Sequence, residues 1–158
     1  CIRDSVGAFL GIAEAAHDVA IGHLGGATRV GQPAVEDAGV QHRVAEMVLE
    51  LARCRAVLSA AAVEIDDYFE RHGPSGASIE DAHHLMADYQ AAKWTVNRGA
   101  IDIVSAAMDL LGGGGYTNNH VLARLYRDVR AGPFMQPFGP TELREYVGRV
   151  ALGQYPVR

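Results

Sequence analysis

Apolar residues recur along most of this chain at spacings of three and four, the period of a helix with one buried face. Val6, Leu10, Ala13, His17, Ala20 and Leu24 form a first stripe, which predicts a helix starting after Asp4 or Ser5 and stopped by Gly25 and Gly26. After a polar loop holding Pro33, Asp37 stands where an N-cap belongs. A very long stripe follows it: Val40, Val44, Met47, Leu51, Cys54, Leu58, Ala61, Ile65 and Tyr68, closed by His72, Gly73 and Pro74. Ser78-Ile79-Glu80-Asp81 reads as another N-cap with an acid at the third helical position, opening a helix that continues to Leu111. At 1.5 Å per residue the second and third helices would each span roughly 50 Å, and rods of that length need neighbours to cover their apolar faces.

Beyond Leu111 come four glycines, Gly112 to Gly115, then a shorter helix expected from about Thr117 to Arg130 on Val121, Leu125 and Val129. Residues 132–140 read as loop, and Thr141 as the cap of a last helix that runs to about Leu152 on Leu143, Val147 and Val150. No strand pattern of useful length and no fixed-period repeat is present. The pattern predicts an all-α, up-and-down helical bundle: long antiparallel helices plus one or two shorter C-terminal ones. Residues 1–153 would form that single domain, with a loose tail over 154–158.

Composition narrows the partners. The 158 residues are 49% hydrophobic, enough for one real core, and 14 Lys and Arg against 19 Asp and Glu leave a net charge of −5. Nothing basic advertises nucleic acid, no run reaches the roughly 20 apolar residues of a membrane helix, and no export signal precedes the first helix. A cytoplasmic location is the expectation. Cys1 and Cys54 are expected as two thiols, and a chain that starts with cysteine is expected to be a piece of a longer one.

Glu14-x-x-His17 and Glu80-x-x-His83 each place a carboxylate and an imidazole on one helical face, the spacing used by di-metal bundles, with Glu46, Glu50, Glu142 and Glu145 as further ligands. The registers oppose a shared metal. In an up-down-up bundle Glu14 and Glu80 fall on the order of 30 Å apart. His83 and His84 then read as solvated first-turn residues, and His17 as packed at its stripe's edge. Trp94 sits within a helical stripe and reads as core, and Arg124, Arg127 and Arg130 as ordinary surface pairing.

Four consecutive glycines carry more unfolded-state entropy than a helix stop requires. Without side chains, Gly112–Gly115 would let a flat or phosphate-bearing group approach the backbone amides, with the helix start after Tyr116 adding a positive dipole end. A plain flexible loop is the alternative. No strand precedes the run and no P-loop lysine follows it, so it is neither a dinucleotide fingerprint nor a P-loop.

The residues Gly11-Ile12-Ala13-Glu14-Ala15-Ala16, Gly31-Gln32-Pro33, Val40-Gln41, Ala45-Glu46-Met47, Leu110-Leu111-Gly112-Gly113-Gly114-Gly115-Tyr116 and Arg127-Asp128 resemble, in order and spacing, the C-terminal helical domain of the acyl-CoA dehydrogenase family. The glycine turn followed by Arg-Asp is the most specific part, and the match runs from Cys1 to about Gly153. The resemblance implies a subunit whose N-terminal helical and middle β domains lie outside this chain, an FAD cofactor, an acyl-CoA or related small-molecule substrate, a role in fatty acid metabolism, and a homodimer or homotetramer. It implies that Arg29, Asp109, Gly112, Gly113, Gly115, Tyr116 and Thr141 bind the cofactor, with the glycine turn of one subunit against a neighbour's FAD.

Departures from the family pattern matter as much. Ala27 stands where an arginine is usual, with Arg29 as a stand-in, and Asp109 replaces a glutamine close to the expected pyrophosphate. The glutamate that removes a substrate α-proton in many members is missing from the loop after Arg127-Asp128. Counting lands on Gln136, or on Phe138 with a two-residue insertion, and neither is a base. Asp4, slightly out of register, is what the alternative position near the first helix offers, and Arg3 is similarly displaced from a family arginine. No catalytic residue is assigned. The expected function is the C-terminal domain of an FAD-dependent, acyl-CoA dehydrogenase-like oxidoreductase; the alternatives are a domain of a related flavin-dependent monooxygenase and a non-catalytic helical dimerisation module.

Overall fold

The computed structural model describes residues 2–73 and 76–156; Cys1 and the side chains of residues 2–5, Arg3 and Asp4 among them, lie outside the described set. Among the described residues five α-helices dominate: α1 (Ile2–Leu24), α2 (Ala38–His72), α3 (Ile79–Leu111), α4 (Val121–Val129) and α5 (Pro140–Ala151). The all-α bundle expected from periodicity is what the chain forms. Asp37 caps α2 by accepting from the Val40 N–H at 3.0 Å, and Ser78 and Asp81 form a reciprocal capping box on α3.

Contacts set the directions. Arg43 of α2 pairs with Asp109 of α3 while Cys54 approaches Gly99, so these two helices run antiparallel. Arg55 pairs with Glu14 of α1 at 2.7 Å, and because Phe9 lies at Gly132 beside Asn97 while Leu24 packs with Leu110, α1 runs parallel to α3. The main core joins Val6, Leu10, Ala13, Ala16 and Ala20 to Met47, Leu51 and Cys54 on one side and Val96, Ala100, Val104 and Ala107 on the other, with α4 adding Leu122, Leu125 and Val129.

Several local expectations are corrected. The first helix begins at Ile2, before Asp4. Between α1 and α2 the chain makes a two-residue antiparallel hairpin, β1 (Thr28–Arg29) with β2 (Gln32–Pro33), too short for alternation to announce it. Helix α4 starts at Val121, capped by the His120 imidazole accepting from Leu122 N–H at 3.1 Å. Thr141 is not a cap: Gly139 is, its N–H donating to Glu142 at 2.9 Å, with Pro140 opening α5. The tail is tied down as far as Tyr155, whose hydroxyl donates to Glu80 at 2.8 Å and whose ring stacks on His83.

The second half of the α2 stripe is only half-buried at Leu58, Ala61, Ile65 and Tyr68, and Val63 and Phe69 are exposed. A groove of about 380 Å³ runs beside it, between Val57, Ala60 and Ala61 of α2 and Ala91, Ala92 and Thr95 of α3.

Cys54 is fully enclosed where α2 crosses α3. Burial first, then the Glu50 carboxylate, pushes its thiol up to about 11 from an ordinary 9.0. Between those values the unfolded chain has lost a proton that the folded chain keeps, so this thiol makes stability fall as pH rises from 9 to 11. It follows that native protein leaves Cys54 unlabelled by a thiol reagent at pH 8, as read by peptide mapping, and labels it fully in denaturant. Rapid native labelling would show that the α2–α3 contact opens.

Candidate functional site

Two places on the bundle hold the residues of interest, one at each end of the paired length of α3. At the C-terminal end, α3 stops at Leu111 because Gly112 takes φ +64°, a conformation that glycine adopts without strain, and its N–H donates to the Met108 carbonyl. Gly112–Gly114 make one 3₁₀ turn. A Cβ on Gly115 would meet the Leu111 Cβ at 2.9 Å, so this glycine serves packing within the chain. Gly113 and Gly114 answer to neither demand: a Cβ on either would find open space, and neither has a positive φ. Tyr116 beside them is 72% exposed.

The amides do not match the expected phosphate cradle. The N–H groups of Gly115, Tyr116 and Thr117 already donate to the carbonyls of Gly112, Gly113 and Gly114 at 3.1, 3.3 and 3.4 Å. The positive helix end lies further on, at Val121, and His120 occupies it. The turn offers close steric approach, with the N–H groups of Gly115, Tyr116 and Thr117 engaged within it.

Asp109 is one turn earlier on α3, and Arg43 of α2 answers its charge at 3.4 Å while also holding Glu46 at 3.0 Å. Repulsion of a nearby phosphate is thereby damped. The hairpin carrying Arg29 is held at the same end by a small cluster of Leu24, Ala34 and Val40 against Leu110, and the Arg29 guanidinium has no ion pair among the described residues. The structure thus brings Arg29, Asp109, Gly112, Gly113, Gly115 and Tyr116 to one end. It does not bring Thr141 there. The start of α5 lies against Lys93, Trp94 and Asn97, 15 to 19 residues down α3 from Gly112, which is about 25 Å at the helical rise.

The second place is the loop between α4 and α5. Lys93 of α3 is 1% exposed, and its ammonium donates to the backbone carbonyls of Met135 and, at 2.7 Å, Phe138. Burial lowers its affinity for the proton. One turn on, the Asn97 amide donates to the Gly132 carbonyl at 3.0 Å; a Cβ on Gly132 would lie 2.8 Å from Asn97 Oδ1 and 3.1 Å from the Phe9 ring. Gln90, also buried, completes a polar row at positions 90, 93 and 97. This row has a signal in the sequence, although polar side chains mask it: Lys93 and Asn97 continue the alternating four-three register of the buried Ala100, Val104 and Ala107.

On the loop, Gln136 is exposed and Phe138 lays its ring on Tyr146 of α5, centroids 4.8 Å apart. No loop side chain is therefore a carboxylate or an imidazole. Beside Phe138 opens a groove of about 570 Å³, with Pro137, Tyr146, Glu142, Arg149 and His83 on its walls. His83 is half-buried, its Nδ1 2.7 Å from the Tyr146 hydroxyl, and is not the solvated residue expected, whereas His84 is exposed as expected, its Nε2 3.0 Å from the Tyr155 hydroxyl. Burial raises the Tyr146 phenol above its usual range. Trp94 is half-buried between the guanidiniums of Arg98 and Arg144, at 4.7 and 5.3 Å. Arg124, Arg127 and Arg130 are exposed with no ion pair among the described residues, so the pairing expected for them is absent. Glu14 is engaged by Arg55 and Glu80 by Tyr155, and no group of three His, Cys, Asp or Glu in metal-holding geometry exists among the described residues.

A family model described as acyl-CoA dehydrogenase, C-terminal domain, matches residues 3–151. The chain is 39% identical over 149 residues to the amino sugar nitrososynthase DnmZ of Streptomyces peucetius, covering 94% of this chain and 35% of that protein. It is also 39% identical over 148 residues to the L-evernosamine nitrososynthase of a Micromonospora species, covering 94% and 34%. Among solved structures it is similar to KijD3 in complex with FMN and dTDP-3-amino-2,3,6-trideoxy-4-keto-3-methyl-D-glucose, at 35% identity and a TM-score of 0.84 over 96% of this chain and 35% of the other. The chain spans about a third of the length of these relatives.

Proposed function

Since this chain belongs to the acyl-CoA dehydrogenase family as a C-terminal domain, we propose that it is the helical third of a flavin-dependent monooxygenase that oxidises the amino group of a nucleotide-linked amino sugar. The observation that carries this is the α4–α5 loop. An acyl-CoA dehydrogenase of the expected kind needs a carboxylate there to take the α-proton, and the loop presents Gln136 and a Phe138 ring stacked on Tyr146. An amine nucleophile needs no such base, because its lone pair reacts once the amine is neutral. The relatives named as amino sugar nitrososynthases, and the amino sugar nucleotide held by KijD3, support the same chemistry.

A reduced flavin, when bound, supplies the activation of oxygen. This chain's part is to bind and shape: the open turn at Gly113 and Gly114 admits the cofactor closely, and the loop and its groove exclude water on the substrate side. FMN is the flavin of the KijD3 complex; FAD is the flavin that the family resemblance implies. Thr141 and the glycine turn are too far apart on one chain to grip the flavin of a single site together, so the proposed enzyme is a dimer or tetramer in which each site draws on two subunits. The half-buried stripe of α2 supports the same assembly.

The full-length protein is expected to purify yellow, to sediment as a dimer or tetramer, and to consume oxygen when given reduced flavin and a dTDP-linked amino sugar, with the oxidised nitrogen seen by mass spectrometry. Reduction of an artificial acceptor by acyl-CoA, with no amino sugar oxidation, would return it to the dehydrogenases. A colourless protein inert in both assays would leave a dimerisation module.

A further inference from the structure

The α4–α5 loop inverts the usual polarity of a surface loop. Such segments normally leave their carbonyls to water. Here the carbonyls of Gly132, Met135 and Phe138 face inward onto Asn97 and Lys93, while the Phe134 side chain is 70% exposed and that of Met135 39%. Lys93 has no carboxylate partner among the described residues, and an ammonium is costly to bury in that state. An apolar residue at this register would be buried without that cost, as Val96 and Ala100 are in the core nearby. What it could not do is hold two carbonyls three residues apart with charge-assisted hydrogen bonds.

We propose that Lys93 is a positioning residue for substrate recognition. Its ammonium locks the backbone of Met135–Phe138, and the locked loop presents Pro137 and Phe138 as a fixed apolar wall of the groove for the deoxygenated, methyl-bearing face of the sugar. This rests on the function proposed above, which puts substrate against this loop. Lys93 touches neither substrate nor flavin and acts through the loop alone.

The test is Lys93→Met in the flavin-loaded, full-length protein; methionine keeps the unbranched stem and removes the charge. Loop amides over 133–138 should exchange with deuterium at least about tenfold faster, with α2 unchanged. KM for a dTDP-linked amino sugar should rise about tenfold or more while kcat stays within about twofold and the flavin spectrum is unaltered, the pattern of lost binding without lost chemistry. Gly132→Ala, which pushes the loop off Asn97 without touching Lys93, should give the same KM-selective loss and covers the case in which Lys93→Met does not fold. A folded Lys93→Met protein with native loop exchange and native KM would overturn the proposal, as would both variants losing flavin and structure together. If wild-type protein does not turn over amino sugars, the proposed function fails on its own; loop exchange in Lys93→Met still decides whether the ammonium sets the loop.

Discussion

Valine at position 99 is expected to cost the bundle about 3 kcal/mol, at the upper end of what overpacking a core usually costs. Gly99 lies where α3 crosses α2, and even a single Cβ there would stand 2.5 Å from the buried Cys54 Sγ and closer still to the Glu50 carboxylate. Glu50 can swing outward, at the loss of its pair with Arg53. Cys54 has nowhere to go, so the helices must separate. A drop in melting temperature of roughly 6–12 °C would register this for a domain of such size. Gly11→Ala is the control, because its Cβ meets nothing within 4 Å on an exposed stretch of α1, and it should stabilise by about 0.5–1 kcal/mol. A Gly99→Val protein as stable as the parent would mean that α2 and α3 do not approach so closely.

The second large effect is functional and should leave stability alone. Leucine at both Gly113 and Gly114 is expected to weaken flavin binding by the full-length protein at least about tenfold, a loss of about 1.4 kcal/mol or more. The bundle should melt within about 0.5 kcal/mol of the parent, as exposed substitutions usually do. The two glycines have open space above them and no positive φ, so nothing inside the chain asks for glycine at either position. Gly112→Leu and Gly115→Leu should instead destabilise, the first through φ +64° and the second through the clash with Leu111. Flavin retained in full by the double leucine variant would remove the turn from the cofactor site.

The four glycines of the turn are conspicuous in the sequence, but their separate reasons are not: one sets a backbone angle, one avoids a side chain, and two are open toward solvent. Asp109 is by sequence a liability beside a phosphate, and its compensating charge, Arg43, lies 66 residues away along the chain. Thr141 followed the family pattern on sequence, yet it sits at the far end of the paired length of α3 from the turn.

What the sequence determined by itself is local. Apolar spacing, the caps at Asp37 and Ser78 and the glycine stop at Gly112 act within one or two helical turns, so three long rods and all their ends except the start of the first follow directly from the sequence. The tertiary structure decided everything that depends on partners tens of residues apart. It put the Lys93 ammonium under the 135–138 carbonyls, laid Tyr155 on the first turn of α3, and buried Cys54 against Gly99. Periodicity names the face that turns inward, but only packing chooses what that face meets, because a buried lysine and a buried alanine occupy the same register and differ in the group waiting across the gap.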